Sequence, residues 1–403
     1  MVKTEIITGD VARAAEIIRG GGLVAVPTET VYGLAGNAMD AGAVEQIYEV
    51  KGRPTVKPLS LMVPDESALD RWCRDVPPAA YALARKFWPG PLTIILKSKK
   101  LEPEIVRAGG DTIGLRCPDH PLTLALLRDA GVPLAAPSAN PSGSPSPKRA
   151  EEVTAYFNGK INAILDGGEC GVGRESTILD MSRIPYRILR QGALPEAEIG
   201  AALRDSLTLV GITGGSGCGK TTALSVLEDM GALVLDADRI YHDLTASDKR
   251  LRAELTERFG AVYEGGKLNR RALAEIVFAN PSALAELNEL THKYVLAEID
   301  RRLTEHALNG GTLAAVDAVA LIECGLGKRT SFNVAVTAPE EARIERIALR
   351  DGISREAARA RIAAQKSDEW YECSCGHVLR NDGDRDAFKQ KCTDFFTEVL
   401  RNV

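Results

Sequence analysis

Residues 214–221 read Gly-Gly-Ser-Gly-Cys-Gly-Lys-Thr, a complete G-x-x-x-x-G-K-[ST] phosphate loop. The apolar run Leu207-Thr-Leu-Val-Gly-Ile212 precedes it, and the helix-compatible run Thr221-Thr-Ala-Leu-Ser-Val-Leu-Glu-Asp-Met230 follows. Strand, loop and helix in that order are the setting in which the motif binds phosphate. Gly214, Gly215, Gly217 and Gly219 let backbone N–H groups turn inward around phosphate oxygens, and the helix N-terminus adds partial positive charge. Lys220 would reach the β and γ phosphates of ATP, while Thr221, followed by Thr222, would ligate Mg²⁺. A loop of this kind normally opens its domain, yet more than two hundred residues precede it, so a complete unit is expected in front.

The length of 403 residues exceeds one ordinary core and points to two domains, 1–205 and 206–403. Hydrophobic content of 45% and charge of 26% suit a soluble globular chain. Residues 1–205 hold 24 basic and 25 acidic side chains, and residues 206–403 hold 26 and 30. Neither half is basic enough for tight nucleic-acid binding on charge alone. No apolar run approaches ~18 residues, and the N-terminal residues lack the apolar core of a signal peptide, so a cytoplasmic protein with no membrane span is expected. Eight scattered cysteines suit a reducing compartment. Cys373-Ser-Cys375-Gly-His377 offers three zinc ligands, but Cys-x-Cys is not the usual spacing and Cys392 is the nearby fourth candidate; the cluster reads as free thiols at a surface turn.

In the first half, helices are expected over residues 11–19, 41–49, 77–88 and 195–203. Strands are expected over 23–27, 59–63, 92–96, 112–115, 134–136, 163–166 and 177–180. Residues 137–149 contain four prolines and read as a loop. In the second half, strands are expected at 233–235, 313–316 and 333–337, with one long helical stretch over 247–308 and an arginine-rich helical region over 339–365. The alternation is α/β, with polar loops entered directly from strands, where binding groups usually sit.

A phosphate loop names a nucleoside triphosphate, not a reaction. Asp236-Ala-Asp238 closes the second strand of that half, beside the phosphates. A carboxylate there accepts a proton from a substrate hydroxyl or holds metal through water; the plainer reading makes Asp238 a helix cap. Arg343, Arg346 and Arg350 share one helical face and either close over transferring phosphates or form a solvated charged face with Glu340, Glu341 and Glu345. Residues 207–403 resemble the dephospho-CoA kinase family. The likeness rests on residues 213–221, Asp236-Ala-Asp238, Leu268-Asn-Arg-Arg-Ala-Leu273, Thr291-His292, Asp317 to Leu326, Arg350-Asp-Gly352, Arg361-Ile-Ala-Ala-Gln365 and Asn381-Asp-Gly383. It implies a P-loop kinase domain with a parallel sheet and a helical lid, which phosphorylates the ribose 3′-hydroxyl of dephospho-CoA with ATP. By that likeness Asp238 is the base, Arg346 and Arg350 belong to the lid, and Glu323 lies in the acceptor pocket. The family's Pro-Leu-Leu-Phe-Glu is here Val319-Ala-Leu-Ile-Glu323, a departure in the pocket wall.

Residues 1–205 lack a phosphate loop, so an anion there must be held differently. Pro27-Thr-Glu-Thr-Val-Tyr-Gly-Leu34, Lys51-Gly-Arg-Pro-Thr-Val-Lys-Pro-Leu-Ser60 and Pro137-Ser-Ala-Asn-Pro-Ser-Gly-Ser-Pro-Ser-Pro147 put cations and hydroxyls on proline-stiffened loops. Together they suit a triphosphate or an adenylate. Arg53 and Lys57, four apart on one such loop, are expected to face the same anion. With Trp88-Pro-Gly-Pro-Leu-Thr93, Gly114-Leu-Arg116-Cys-Pro118, Glu175-Ser-Thr-Ile-Leu-Asp180 and Leu189-Arg-Gln-Gly192, these segments resemble the YrdC-type threonylcarbamoyl-AMP synthase family over roughly 8–203.

The resemblance implies a YrdC-like twisted α/β domain that joins L-threonine, bicarbonate and ATP into threonylcarbamoyl-adenylate, which feeds the tRNA-modification machinery. It puts Thr30, Tyr32 and Ser176 at threonine, and Lys51, Arg53, Lys57, Arg116, Ser138, Asn140, Ser146 and Arg190 around the nucleotide and carbamate. Gln191 stands where proline is commoner. The expected protein is therefore a bifunctional enzyme. The alternatives make the first half an RNA-binding module, with weak RNA binding, or a sensor of ATP or threonine, and leave only the kinase catalytic.

Overall fold

The computed structural model describes residues 3–318, 321–322 and 325–401. The chain divides into two compact units, Met1–Ser206 with Leu308–Gly310, and Leu207–Ala307 with Gly311–Val403.

The first unit is built on one eleven-stranded mixed sheet. Its path runs Glu5–Thr8, Ala163–Asp166, Val24–Val26, Gly33–Asn37, Leu134–Ala135, Ser60–Met62, Thr112–Arg116, Leu92–Ser98, Thr177–Asp180 and Arg187–Arg190, with Cys73–Arg74 paired to Leu92–Ser98 off that path. Helix Val11–Arg19 shows how the sequence sets an element. The Asp10 side chain accepts from Arg13 N and satisfies one of the first free donors, and Ala14, Ala15 and Ile18 form the buried stripe. That stripe joins a core with Val24, Val26, Leu126 and Leu165. Burying a side chain such as Ile18 stabilises by roughly 1.5–3 kcal/mol.

Several elements fall where the sequence reading places none. Strand Gly33–Asn37 has two glycines and no β-branched residue, so it carries no strand propensity. Packing explains it: a Cβ on Gly36 would press into Leu23 and Ile47. Helices Pro121–Ala130 and Ala150–Phe157 and the edge strand Arg187–Arg190 are likewise additions.

The second unit carries a five-stranded, all-parallel sheet in the order Leu233–Asp236, Leu313–Asp317, Thr208–Thr213, Phe332–Thr337, His377–Arg380. Helices Lys220–Asp229 and Arg385–Val399 cover it through Leu227, Phe388 and Phe396. The single helical stretch expected over 247–308 is corrected to helices Lys249–Phe259, Arg270–Phe278 and Pro281–Leu308, with a hairpin of Tyr263–Glu264 and Lys267–Leu268 between the first two. Asp248 and Asn269 cap two of these helices, and Gly260 at φ +77 ends the first. The region 339–365 is likewise two helices, Glu340–Asp351 and Arg355–Ala363, split at Gly352, whose φ of +65 suits glycine. Among the described residues no helix is long and apolar enough to cross a membrane.

The described cysteines are free: Cys73, Cys117, Cys170, Cys218 and Cys392 are buried, Cys375 is half-buried and Cys373 is exposed. Among the described residues no three His, Cys, Asp or Glu side chains gather as metal ligands. The His377 ring packs edge-on against Phe332 and Phe395, with centroids 5.4 Å away in each case.

Candidate functional sites

In the first unit a cavity of about 200 Å³ opens over the ends of several strands. Arg53, Arg116 and Arg190 line it, with Glu175 the one carboxylate in the wall. Thr93 follows the start of strand Leu92–Ser98, and register sets it beside Ile178. Its hydroxyl meets that of Ser176 at 2.9 Å in a buried pair. Arg190 ends the edge strand Arg187–Arg190 and donates through Nε and Nη2 to Ser176 O at 3.1 and 2.9 Å. Its Nη1 reaches Glu175 Oε2 at 2.5 Å, and Ser146 Oγ donates to Glu175 Oε1 at 2.9 Å. The close approach at Gly192 requires glycine, because a Cβ there would overlap the backbone of Glu175 and Ser176.

Arg116 ends strand Thr112–Arg116 and is buried. Its Nη2 donates to Glu29 Oε1 at 2.8 Å and to Thr30 Oγ1 at 2.7 Å. Thr30 is fully buried behind Arg116. Burial lowers the affinity of Arg53 and Arg190 for their protons, although both remain cations at neutral pH.

The other expected residues divide between the cavity lining and its surroundings. Lys51 ends helix Ala41–Lys51, is buried, and donates through Nζ to the carbonyls of Ser138 and Asn140. These two bonds tie helix Ala41–Lys51 to the proline-rich loop, and Lys51 is outside the cavity lining. Burial, aided by Arg53, pushes its ammonium down to about 8. Arg53 does line the cavity, but Lys57 is exposed and outside the lining; Arg53 Nε donates to Lys57 O at 3.2 Å, so the turn separates the two charges. Tyr32, expected at the amino acid, is buried, and its hydroxyl donates to Gly168 O at 2.8 Å and accepts from Gly167 N at 3.2 Å. Ser138 lines the cavity; Asn140 donates to Pro141 O and Ser144 O, leaving its buried Oδ1 without a partner.

In the second unit the loop after strand Thr208–Thr213 is tied down from three sides. Arg343 Nε donates to Ser216 O at 3.0 Å and its Nη1 pairs with Asp368 at 2.8 Å. Gln365 accepts from Ser216 N and donates to Ser216 Oγ. Asn381 donates to Cys218 O at 2.9 Å, beside Gly219 at φ +108, where a Cβ would overlap the Asn381 amide. Cys218 turns into the core with Val336 and Phe388. Lys220 Nζ donates to Gly214 O at 3.0 Å, Thr221 is exposed and Thr222 half-buried. Arg346 reaches Gly217 O at 3.2 Å. Arg350, expected over the phosphates, is instead paired with its neighbour Asp351 at 2.7 Å, and Asp351 also binds Arg361. Glu323 lies outside the described residues.

Three aspartates meet at the carboxyl edge of this sheet. Asp236 and Asp317 are register partners on adjacent strands. Asp236 Oδ1 accepts from Arg239 N at 2.9 Å and is the helix cap, so the capping role considered for Asp238 belongs to its neighbour. Asp238 lines a cavity of about 300 Å³ with Tyr241, Asn288, His292 and Leu296. Burial, then Asp236, raises its pKa. Asp317 has a buried Oδ1 without a partner, and burial raises its pKa to about 6 against the pull of Lys220. The sequence reading counted Asp317 in the segment 317–326 that carries the kinase likeness but gave it no role of its own; a carboxylate closing an apolar strand, Leu313–Asp317, was the available signal. Glu29, Glu175 and Thr93 stood inside quoted motifs without a role of their own; their partners lie 15 to 90 residues away, which spacing does not reveal.

Residues 16–192 match the Sua5/YciO/YrdC family model, described as telomere recombination, and residues 208–386 match the dephospho-CoA kinase model. The chain is 47% identical over 186 residues to a threonylcarbamoyl-AMP synthase of Pyrococcus abyssi, covering 46% of this chain and 55% of that one. It is 34% identical over 203 residues to a putative threonylcarbamoyl-AMP synthase of Mycobacterium tuberculosis, covering 50% of this chain and 93% of that one. It is 35% identical over 195 residues to a dephospho-CoA kinase of Salinibacter ruber, covering 48% and 98%. The chain spans 55% and 59% of the length of the first two curated relatives it matches.

Proposed function

Because the chain belongs to the Sua5/YciO/YrdC family in its first half and to the dephospho-CoA kinase family in its second, we propose that it is a bifunctional enzyme. Its first unit would form threonylcarbamoyl-AMP and pyrophosphate from L-threonine, bicarbonate and ATP. Its second would transfer the γ-phosphoryl group of ATP to the 3′-hydroxyl of dephospho-CoA. The observation that supports this reading is that an arginine-lined cavity in one unit and a phosphate loop in the other are built from separate residues.

In the first site negative charge grows on the phosphates as the carbamate oxygen attacks the α-phosphorus. Arg53, Arg116 and Arg190 are fixed in place before the reaction by carbonyl and carboxylate partners, so they stabilise that charge without reorganising. Ser176 and Thr93 offer a hydroxyl pair to the amino-acid side chain. Threonine, bicarbonate and ATP are held together, and positioning supplies much of the rate.

In the second site the backbone N–H groups of the loop and Lys220 hold the ATP phosphates. Asp238 is placed at the mouth of a cavity that suits the acceptor, where it would take the hydroxyl proton. The buried, unpartnered Oδ1 of Asp317, within electrostatic reach of Lys220 of the phosphate loop, fits a cation. Thr221 and Asp317 would hold the Mg²⁺ that travels with ATP, whose charge would offset that of the phosphates. A reducing, cytoplasmic setting agrees with the free cysteines.

The test is one preparation assayed twice, for adenylate and pyrophosphate from threonine, bicarbonate and ATP–Mg²⁺, and for CoA from dephospho-CoA. Both activities are expected. A preparation that binds RNA and makes CoA but no adenylate would replace the synthase reading with an RNA module.

A further inference from the structure

We propose that Glu175 receives the amino group of the amino-acid substrate, an inference that rests on the synthase reading of the first unit. The cavity wall carries three arginines and a single carboxylate. A free α-amino acid is a zwitterion, so it needs a cation for its carboxylate and an anion for its ammonium. Arg190 and Glu175 supply both as a joined pair, 2.5 Å apart. The planar guanidinium suits the substrate carboxylate, and the carboxylate beside it suits the ammonium.

The hydrogen-bond inventory of Glu175 leaves room for this role. Oε1 accepts from Ser146 Oγ and Oε2 from Arg190 Nη1, so each oxygen retains a free acceptor position. Its side chain is 35% exposed and faces the cavity. Glu29, paired with Arg116 and Asp119 N, is separated from this role by its place: its side chain is 14% exposed and outside the lining. The Thr93–Ser176 hydroxyl pair and the apolar Val31 and Met62 line the same cavity as Glu175, which matches a side chain carrying one hydroxyl and one methyl.

The full chain tests this with two probes, L-threonine and 2,3-dihydroxybutyrate, in which a hydroxyl replaces the amine. Affinities for both, and for ATP, are measured by calorimetry on the wild type and on Glu175→Gln. The wild type is expected to prefer threonine at least tenfold, as for one charge-assisted contact. Glu175→Gln is expected to lose tenfold to hundredfold in threonine affinity and about threefold or less for the dihydroxy acid and ATP. If the variant loses all three alike, Glu175 only orients Arg190 and the proposal falls. Should Glu175→Gln fail to fold, the wild-type preference decides alone: equal binding of the two probes overturns the seat. A wild type that binds ATP but neither probe overturns the synthase reading and this seat with it.

Discussion

Lys51 and Arg53 lie two residues apart and do opposite things. Lys51 spends its charge on two carbonyls of the neighbouring loop, while Arg53 turns its guanidinium to the cavity wall. Residue type made both candidates for anion contact; the end of helix Ala41–Lys51 separates them by pointing one inward. Arg53→Ala should therefore lower adenylate synthesis tenfold to hundredfold, the loss of about 1.5–3 kcal/mol per charged contact. Lys57→Ala, on the exposed side of the same turn, should change it less than about threefold. Equal losses in steady-state assays would put Lys57 back at the anion. At the second site Asp238→Asn keeps the shape and removes the proton acceptor. Phosphoryl transfer to dephospho-CoA should fall by on the order of 10²-fold with ATP binding intact. Unchanged turnover would leave Asp238 as a surface group beside the true cap, Asp236.

At the scale of elements, the parallel sheet of the second unit gathers its charge at one edge. Strands Leu233–Asp236 and Leu313–Asp317 both end in aspartate, and parallel register brings those ends together. The native Asp317 keeps its proton up to about pH 6, whereas an unfolded aspartate releases it near 3.8. The folded state thus binds more protons between those values, and stability falls as pH rises through that window. Asp317→Asn cannot ionise and escapes this cost. Calorimetry should find the variant a few °C more stable at pH 8, with the gap closing as pH falls toward 4. A gap independent of pH would mean Asp317 ionises freely.

What the sequence made legible follows the same division. The phosphate loop and the apolar strands were readable because their signals are local. Strand Gly33–Asn37 was not, because packing against Leu23 and Ile47 selects it. The helix breaks after Phe259 and Phe278 were masked by good helix formers on both sides of short capping sequences. The arginines of the first cavity were legible as charges, but Glu175 and Thr93 gain their meaning from Ser146, Arg190 and Ser176, which only the sheet brings near.

At the scale of the molecule, two sites with separate residue sets should fail separately. Lys220→Ala should abolish CoA formation and leave pyrophosphate release with threonine and bicarbonate within about twofold of wild type. Joint loss in a folded protein would mean that the two reactions are linked.

The placement of sulfur gives the same independence a second handle. Cys73, Cys117 and Cys170 are shut inside the first unit, Cys218 and Cys392 inside the second, and Cys373 faces solvent. A maleimide pulse on the native chain would mark Cys373 at once, since only an accessible thiolate reacts. The enclosed sulfurs would be marked as their own unit opens, so peptide mapping of the label turns one chain into two stopwatches, one for each half's excursions from the folded state.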